Sequence, residues 1–255
     1  MTTAVFHAAG MLDGARPGAV VTVTGPEARH AATVRRMRAG EVVELVDGAG
    51  LRVAGTVTTA TKDALSVAVT GVVREPAPAV RLVLAQALAK GGRDEQAVET
   101  ATELGVDAVV PWQADRSVSV WTGPKVARGR QRWAAVVLAA AKQSRRAWVP
   151  EVAEPASSRV LAAETARVVG GGGAVLVLHE QATTPLAAAR LPVPDGDGTC
   201  VVVVVGPEGG ITDAEVAALE AAGGQPVLVG PHVLRTSTAG PAALTVLAQR
   251  LGRWG

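Results

Sequence analysis

The spacing of apolar positions changes character once along the chain. Up to about residue 75 they form short β-branched runs, at 19–24, 41–46, 51–58 and 64–73, separated by turn residues such as Asp47-Gly48-Ala49-Gly50. This spacing predicts strands, the middle two paired as a hairpin. One helix interrupts them. Thr24-Gly25-Pro26-Glu27 combines a capping threonine, a proline in the first turn and a glutamate three residues on, which predicts a capping box and a helix running to about residue 38 and stopping at Gly40. The first stretch reads as a small β-barrel-like module carrying one helix.

Glu75-Pro76-Ala77-Pro78 follows. Two prolines in three positions join neither a ladder nor a helix, so this is a linker. Beyond it, strands at 80–87, 106–111, 174–178, 199–205 and 225–229 alternate with helices at 93–104, 126–146, 157–168, 212–222 and 239–251. The strands are continuously apolar rather than alternating. Both features predict an α/β domain whose parallel sheet is covered on both faces. The expected domains are 1–75 and 76–255.

Composition narrows the function. A chain of 255 residues, 48% of them hydrophobic, is globular. Its net charge of +2 announces no nucleic-acid partner, so any basic surface must be local. All but Lys62, Lys90, Lys125 and Lys142 of the 25 basic residues are arginine. That suits bidentate phosphate recognition, or it reflects the base composition of the genome. One Phe, five Trp and no Tyr are too few for an RNA surface built on stacked aromatics. The single Cys200, inside an apolar run, reads as a core residue. His7, His30, His179 and His232 are scattered without metal spacing, so no metal is expected. The first residues lack a signal-peptide pattern and no apolar run approaches a membrane span. The expectation is a soluble cytoplasmic protein.

In a parallel α/β sheet, ligands bind beyond the carboxyl ends of the strands. Three loops stand there. His179-Glu180 follows 174–178; Gly206-Pro207-Glu208-Gly209-Gly210 follows the valine strand and leads into a second capping box, Thr212-Asp213-Ala214-Glu215. The third, residues 230–239, holds Gly230-Pro231-His232 and Leu234-Arg235-Thr236-Ser237. Glycines in such turns permit positive φ and close approach to a ligand. Neither the dinucleotide fingerprint nor the phosphate-loop motif is present. Singly, each loop is compatible with plain turn chemistry; the combination is more specific.

Gly206-Pro207-Glu208-Gly209-Gly210 followed by Leu228-Val229-Gly230-Pro231 and Leu234-Arg235-Thr236 closely resembles the RsmE family of ribosomal RNA (uracil-N3) methyltransferases, of the SPOUT class. Gln86-Ala87-Leu88-Ala89-Lys90, Glu103-Leu104-Gly105-Val106, Arg116-Ser117, Gln143-Ser144-Arg145-Arg146 and Val149-Pro150-Glu151-Val152 fall in the family's order. His30, Val34-Arg35-Arg36, Gly40 and Asp47-Gly48 resemble its PUA-like domain. The chain departs from the family pattern at Thr100, Lys142 and Ser237, and no catalytic role is carried over to these.

The resemblance implies an α/β fold with a SPOUT-type parallel sheet and a deep C-terminal trefoil knot over 199–251, preceded by a small PUA-like RNA-binding β-barrel domain. It implies S-adenosyl-L-methionine as methyl donor, held largely by main-chain groups at Leu178, Gly206, Pro207, Gly209, Gly210, Leu228, Gly230, Val233, Leu234, Thr236 and Ala239. It implies a homodimer through the knot domain, and as substrate 16S ribosomal RNA in the assembled 30S subunit, methylated at N3 of a uridine. Uracil N3 must lose its proton, which calls for a base or for a cation that stabilises the anion. Arg235 and Glu208 are the catalytic candidates. Arg235 could stabilise that anion, fix a phosphate or pair with Glu208, and Glu208 could act as base or cap backbone donors.

Phosphate contacts would come from arginine clusters. Arg29, Arg35, Arg36 and Arg38 lie on or beside the first helix, where 29/36 and 35/38 can share faces. Lys90, Arg93, Arg116, Arg145 and Arg146 complete the RNA-binding candidates; a solvated face is the alternative. Other readings are a SPOUT enzyme acting on tRNA or a ribose hydroxyl, and a non-catalytic RNA-binding or assembly factor, which cofactor binding would separate.

Overall fold

Alternating burial builds the first sheet. β2 (Val20–Thr24) buries Val21 and Val23 and exposes Thr22 between them, and β5 (Ala64–Arg74) buries Leu65, Val67 and Val69 with half-buried Ser66 and Ala68 between them. With β1 (Ala4–His7), β3 (Val42–Val46) and β4 (Leu51–Ala60) they form a five-stranded sheet of order β1-β3-β4-β5-β2, parallel only between β1 and β3. Two register shifts in the β4–β5 ladder, between Ala54 and Gly55 and between Val57 and Thr59, curl the long hairpin. At the first, a Cβ on Gly55 would come within 2.5 Å of the Ala68 carbonyl oxygen. The curl wraps the sheet around Phe6, Leu45, Val53 and Leu65, all buried.

The computed structural model describes residues 3–193 and 198–254, so the outermost ends of the expected domains lie outside the described residues. Within it the chain divides into two units, Met1–Ala77 with Ala141–Val149, and Pro78–Ala140 with Pro150–Gly255. The sequence boundary at 75–76 leaves 141–149 in the second domain; packing places it in the first unit. There the Arg52 guanidinium donates to the Arg145 carbonyl at 2.9 Å, the Gly50 N–H to Ala147 at 3.1 Å and the Trp148 indole N–H to Glu75 at 3.2 Å.

The first helix is a correction. β2 continues through Thr24, which pairs with Ala64, so the N-cap passes to Gly25 at φ 71° with no side-chain cap. Helix α1 (Pro26–Arg29) continues as a π-helical turn, His30–Val34, and stops before Arg36, whose φ is 52°. The expected capping box fails because Glu27 is used elsewhere: its carboxylate pairs with Lys142 and accepts the His7 N–H at 3.4 Å.

In the second unit β6 (Arg81–Ala87), β7 (Ala108–Gln113), β8 (Glu151–Val152), β9 (Ala156–Ser157), β10 (Ala174–Leu178), β11 (Cys200–Val205) and β12 (Gln225–Val227) make one sheet of order β12-β10-β11-β6-β7-β8, with β9 on β7. Every pairing is parallel, as the continuous apolar strands predict. Helices α2 (Arg93–Glu103), α3 (Pro124–Gln143), α4 (Ser158–Gly170), α5 (Asp213–Ala221) and α6 (Thr236–Arg250) are interspersed among the strands, with none of them between β8 and β9 or between β10 and β11. Val202 and Val204 of β11 join a core with Leu161 of α4 and Leu219 of α5, while α6 packs on Val205 and Leu84 so closely that a Cβ on Gly240 would come 2.9 Å from Leu84. The sheet is thus covered on both faces. Helix α6 begins three residues earlier than its pattern suggests, because Arg235 is extended (ψ 151°) and serves as its N-cap. Cys200, at the start of β11, is half-buried beside this core, and burial raises its thiol above the ordinary value. Among the described residues, no helix is long and apolar enough to cross a membrane.

Candidate functional site

Because β12, β10 and β11 are adjacent and parallel, the loops leaving their carboxyl ends meet at one edge of the sheet. They enclose a cavity of about 790 Å³. Its walls are Leu178–Gln181 after β10, Val205–Ile211 after β11, Val227–Arg235 after β12, Thr236 and Ala239 in the first turn of α6, and Arg93, Arg116 and Asp213. Every candidate cofactor residue, and both catalytic candidates, line it. Two ladders of main-chain bonds hold the walls: the His179 N–H donates to Val227 at 3.1 Å, and Leu228 exchanges bonds with Thr184 at 2.9 Å and Leu186 at 2.8 Å.

The glycines differ in what they answer to. A Cβ on Gly206 would stand 2.6 Å from Ile211 Cγ1, and one on Gly209 3.1 Å from the Cβ of Arg116, while Gly210 takes φ 75°. Packing disfavours a side chain at Gly206 and crowds one at Gly209, and the backbone disfavours one at Gly210. Gly230 is the exception. It lines the cavity, a Cβ there would meet nothing within 4 Å, and its φ is ordinary. Its missing side chain leaves open space in the cavity.

Polar groups brace the same loops. The Thr236 hydroxyl donates to the Gly206 carbonyl at 2.7 Å and accepts from the Gln86 amide at 2.8 Å. Gln86 is wholly buried, and its Oε1 has no partner among the described residues. It was not among the site candidates, although a glutamine inside the apolar run 80–87 is a signal of a buried hydrogen-bonding role.

Glu208 accepts from the Arg93 guanidinium at 2.8 Å and from the Lys90 N–H at 3.4 Å. Burial alone would raise its carboxyl, but its own N–H, Arg93 and the Lys90 N–H outweigh that and hold it below the ordinary value. Arg93 therefore occupies the place considered for Arg235. Arg235 is exposed in the cavity wall, and its guanidinium has no partner among the described residues. Arg116 donates to the Gly209 carbonyl at 3.0 Å.

Of the RNA-binding candidates, Arg93 and Arg116 thus brace the glycine loop, and the Lys90 side chain is exposed. Arg29, Arg35, Arg36 and Arg38 are exposed and their side chains are unpartnered among the described residues. The expected face-sharing of 29/36 and 35/38 does not occur, because the helix ends before Arg36. Arg145 is exposed at φ 59° and Arg146 is half-buried. Among the described residues no group of three or more His, Cys, Asp or Glu is placed to hold a metal ion.

Residues 75–248 match the family described as an RNA methyltransferase domain, and residues 23–70 an RNA methyltransferase PUA domain. The chain is 45% identical, over 93% of its own length and 89% of the relative's, to the ribosomal RNA small subunit methyltransferase E of Mycobacterium bovis. Among solved structures it resembles the ribosomal RNA small subunit methyltransferase E of Neisseria gonorrhoeae bound to S-adenosyl methionine, with a TM-score of 0.83 at 26% identity, covering 98% of each chain. A putative methyltransferase of Legionella pneumophila, in complex with the same cofactor, gives a TM-score of 0.80 at 26% identity, again covering 98% of each chain. Arginine-rich first unit, parallel second unit and glycine-framed cavity thus accompany a family match across most of the sequence: the chain belongs to the ribosomal RNA small subunit methyltransferase E family of RNA methyltransferases.

Proposed function

We propose that the protein methylates small-subunit ribosomal RNA from S-adenosyl-L-methionine, and that the acceptor is N3 of a uridine in 16S ribosomal RNA. The observation that carries this is the cavity at the carboxyl ends of β10, β11 and β12. Its size lies in the range of small-molecule sites, and its walls offer main-chain groups, apolar Leu178, Leu228 and Leu234, and the open space at Gly230. Those groups fit a cofactor with a flat heteroaromatic ring and a short polar arm. When bound, it supplies an electrophilic methyl on a sulfonium.

The chain's own residues do the rest. Thr236, Gln86 and Arg116 fix the loops, so that acceptor and donor are held in line, which supplies much of the rate of a displacement. Arg235, a cation in the cavity wall without a partner among the described residues, stabilises the negative charge that develops on the uracil as N3 gives up its proton to solvent. Glu208, ionised and tied to Arg93, is a weak proton acceptor and anchors the loop instead. The PUA-like unit grips phosphate through Arg29, Arg35, Arg36 and Arg38, to which Arg145 and Arg146 of the same unit add, and Lys90 is a separate phosphate contact of the second unit. The reading includes a knotted C-terminal region over 199–251, a homodimer through that domain, and action on the assembled 30S particle in the cytoplasm.

Incubating the protein with labelled S-adenosyl-L-methionine and 30S subunits lacking the modification, followed by nucleoside mass spectrometry, tests it. The expected product is 3-methyluridine; label on a ribose 2′-oxygen, or none, overturns it.

A further inference from the structure

Glu215 lies in the first turn of α5 and is only 4% exposed. A buried carboxylate must be met by donors. One oxygen, Oε2, completes the capping box, accepting the Thr212 N–H and the Thr212 hydroxyl, each at 2.9 Å. Capping needs nothing more. The other oxygen, Oε1, accepts the Ser158 hydroxyl at 2.6 Å and the Asp115 N–H at 2.8 Å, and Ser158 in turn accepts the indole N–H of the buried Trp112 at 3.3 Å. These partners belong to the start of α4 and to the end of β7 and the loop after it.

The next residue in that loop is Arg116. It donates to the Gly209 carbonyl at 3.0 Å, and its Cβ lies against the face of Gly209 where a side chain would stand. Oε1 therefore fixes the loop that carries Arg116, and Oε2 fixes Thr212, into which Gly206–Gly210 leads. Both sides of one corner of the cavity are referred to a single carboxylate.

We propose that Glu215 is a positioning residue for the cofactor cavity, setting through Asp115 the register of Arg116 against Gly209 and so the shape of the glycine corner. This rests on the reading of the cavity as the cofactor site. It makes Arg116 a wall-bracing residue before it is an RNA ligand.

The test compares Glu215→Gln, Arg116→Ala and the double variant, with Thr212→Ala as the variant that breaks the cap but leaves both partners of Oε1. Calorimetry with S-adenosyl-L-methionine is expected to show about fivefold or greater weakening for Glu215→Gln, no further loss in the double variant beyond Arg116→Ala, and near-normal affinity for Thr212→Ala. Additive losses, or equal losses for Thr212→Ala and Glu215→Gln, overturn the proposal, since they describe a helix cap alone. Hydrogen exchange of the ligand-free protein gives an independent reading. Glu215→Gln is expected to speed exchange in both 114–117 and 206–210, and Arg116→Ala only in 206–210; unchanged exchange at 114–117 in Glu215→Gln overturns it. Wild-type protein that binds no S-adenosyl-L-methionine overturns the functional reading instead, and exchange then decides the positioning. Should Glu215→Gln fail to fold, Ser158→Ala removes one donor from the same oxygen and is expected to show the same pattern with smaller amplitude; no change at 114–117 in that variant overturns the proposal.

Discussion

The Gln86 amide and the Thr236 hydroxyl meet at 2.8 Å across 150 residues of sequence, and that hydroxyl passes a second hydrogen bond to the Gly206 carbonyl. One oxygen thereby ties the end of β6, the loop after β11 and the first turn of α6. Thr236→Val keeps the shape and removes the oxygen, leaving a buried donor and a carbonyl unmet. The expected cost is about 1–3 kcal/mol, which for a chain of this size lowers Tm by roughly 2–10 °C. Thermal melts check the stability and calorimetry the accompanying loss of cofactor affinity; a variant as stable as wild type would show that the relay bears no strain.

Gly206 and Gly230 separate packing from ligand. Gly206→Ala drives a Cβ to 2.6 Å from Ile211 and is expected to lower both Tm and cofactor affinity. Gly230→Ala meets open space within the chain, so its stability should stay within about 0.5 kcal/mol of wild type. Its affinity for S-adenosyl-L-methionine should fall, because the methyl enters the cavity. Equal affinity for wild type and Gly230→Ala would place the ligand elsewhere.

Arg36→Glu reverses an exposed, unpartnered charge. Transfer to 30S subunits should drop about tenfold or more at physiological salt, with the salt dependence of RNA binding shallower by about one ion. Cofactor binding should be near normal. Joint loss of both would make Arg36, at φ 52°, a folding residue.

Glu215 also predicts a pH dependence. Burial raises its carboxyl, but the hydrogen bonds from Ser158, Asp115 and Thr212 prevail and hold it below the ordinary 4.5. A carboxyl depressed by folding contributes stability above the unfolded value, and that contribution is lost as pH falls through the folded value. The stability gap between wild type and Glu215→Gln, from urea unfolding, should stay level from about pH 8 to pH 5 and narrow below about pH 4.5. A gap that widens on acidification would mean that the carboxyl is not held ionised by its neighbours.

The two capping-box patterns show how far local sequence reaches. Thr212 and Glu215 form the box they spell. Thr24 and Glu27 have the same spacing and do not, since Thr24 completes the β2 ladder and Glu27 meets Lys142 and the His7 N–H. The parallel sheet and the three loops were legible because they depend on periodicity and turn chemistry within a few residues. The pairing of Arg93 with Glu208, the Gln86 relay and the second pair of bonds to Glu215 were not, because each joins residues far apart in sequence. Strand β1 and the two-residue strands β8 and β9 escaped for a different reason: such short segments carry too little periodicity to stand out.

The first unit is assembled from two stretches of chain, with residues 78–140 between them. A ribosome making this protein releases Met1–Ala77 well before Ala141–Val149. Synthesis at roughly 5–20 residues per second makes the wait several seconds. Throughout it, Gly50 lacks the Trp148 ring that packs against it, and the Glu75 carbonyl lacks its indole donor. The PUA-like unit thus cannot close by itself at the front of the nascent chain; its completion is timed by the emergence of the end of α3, deep in the methyltransferase sequence. Cutting the gene at the proline linker would therefore yield a fragment missing part of its own wall.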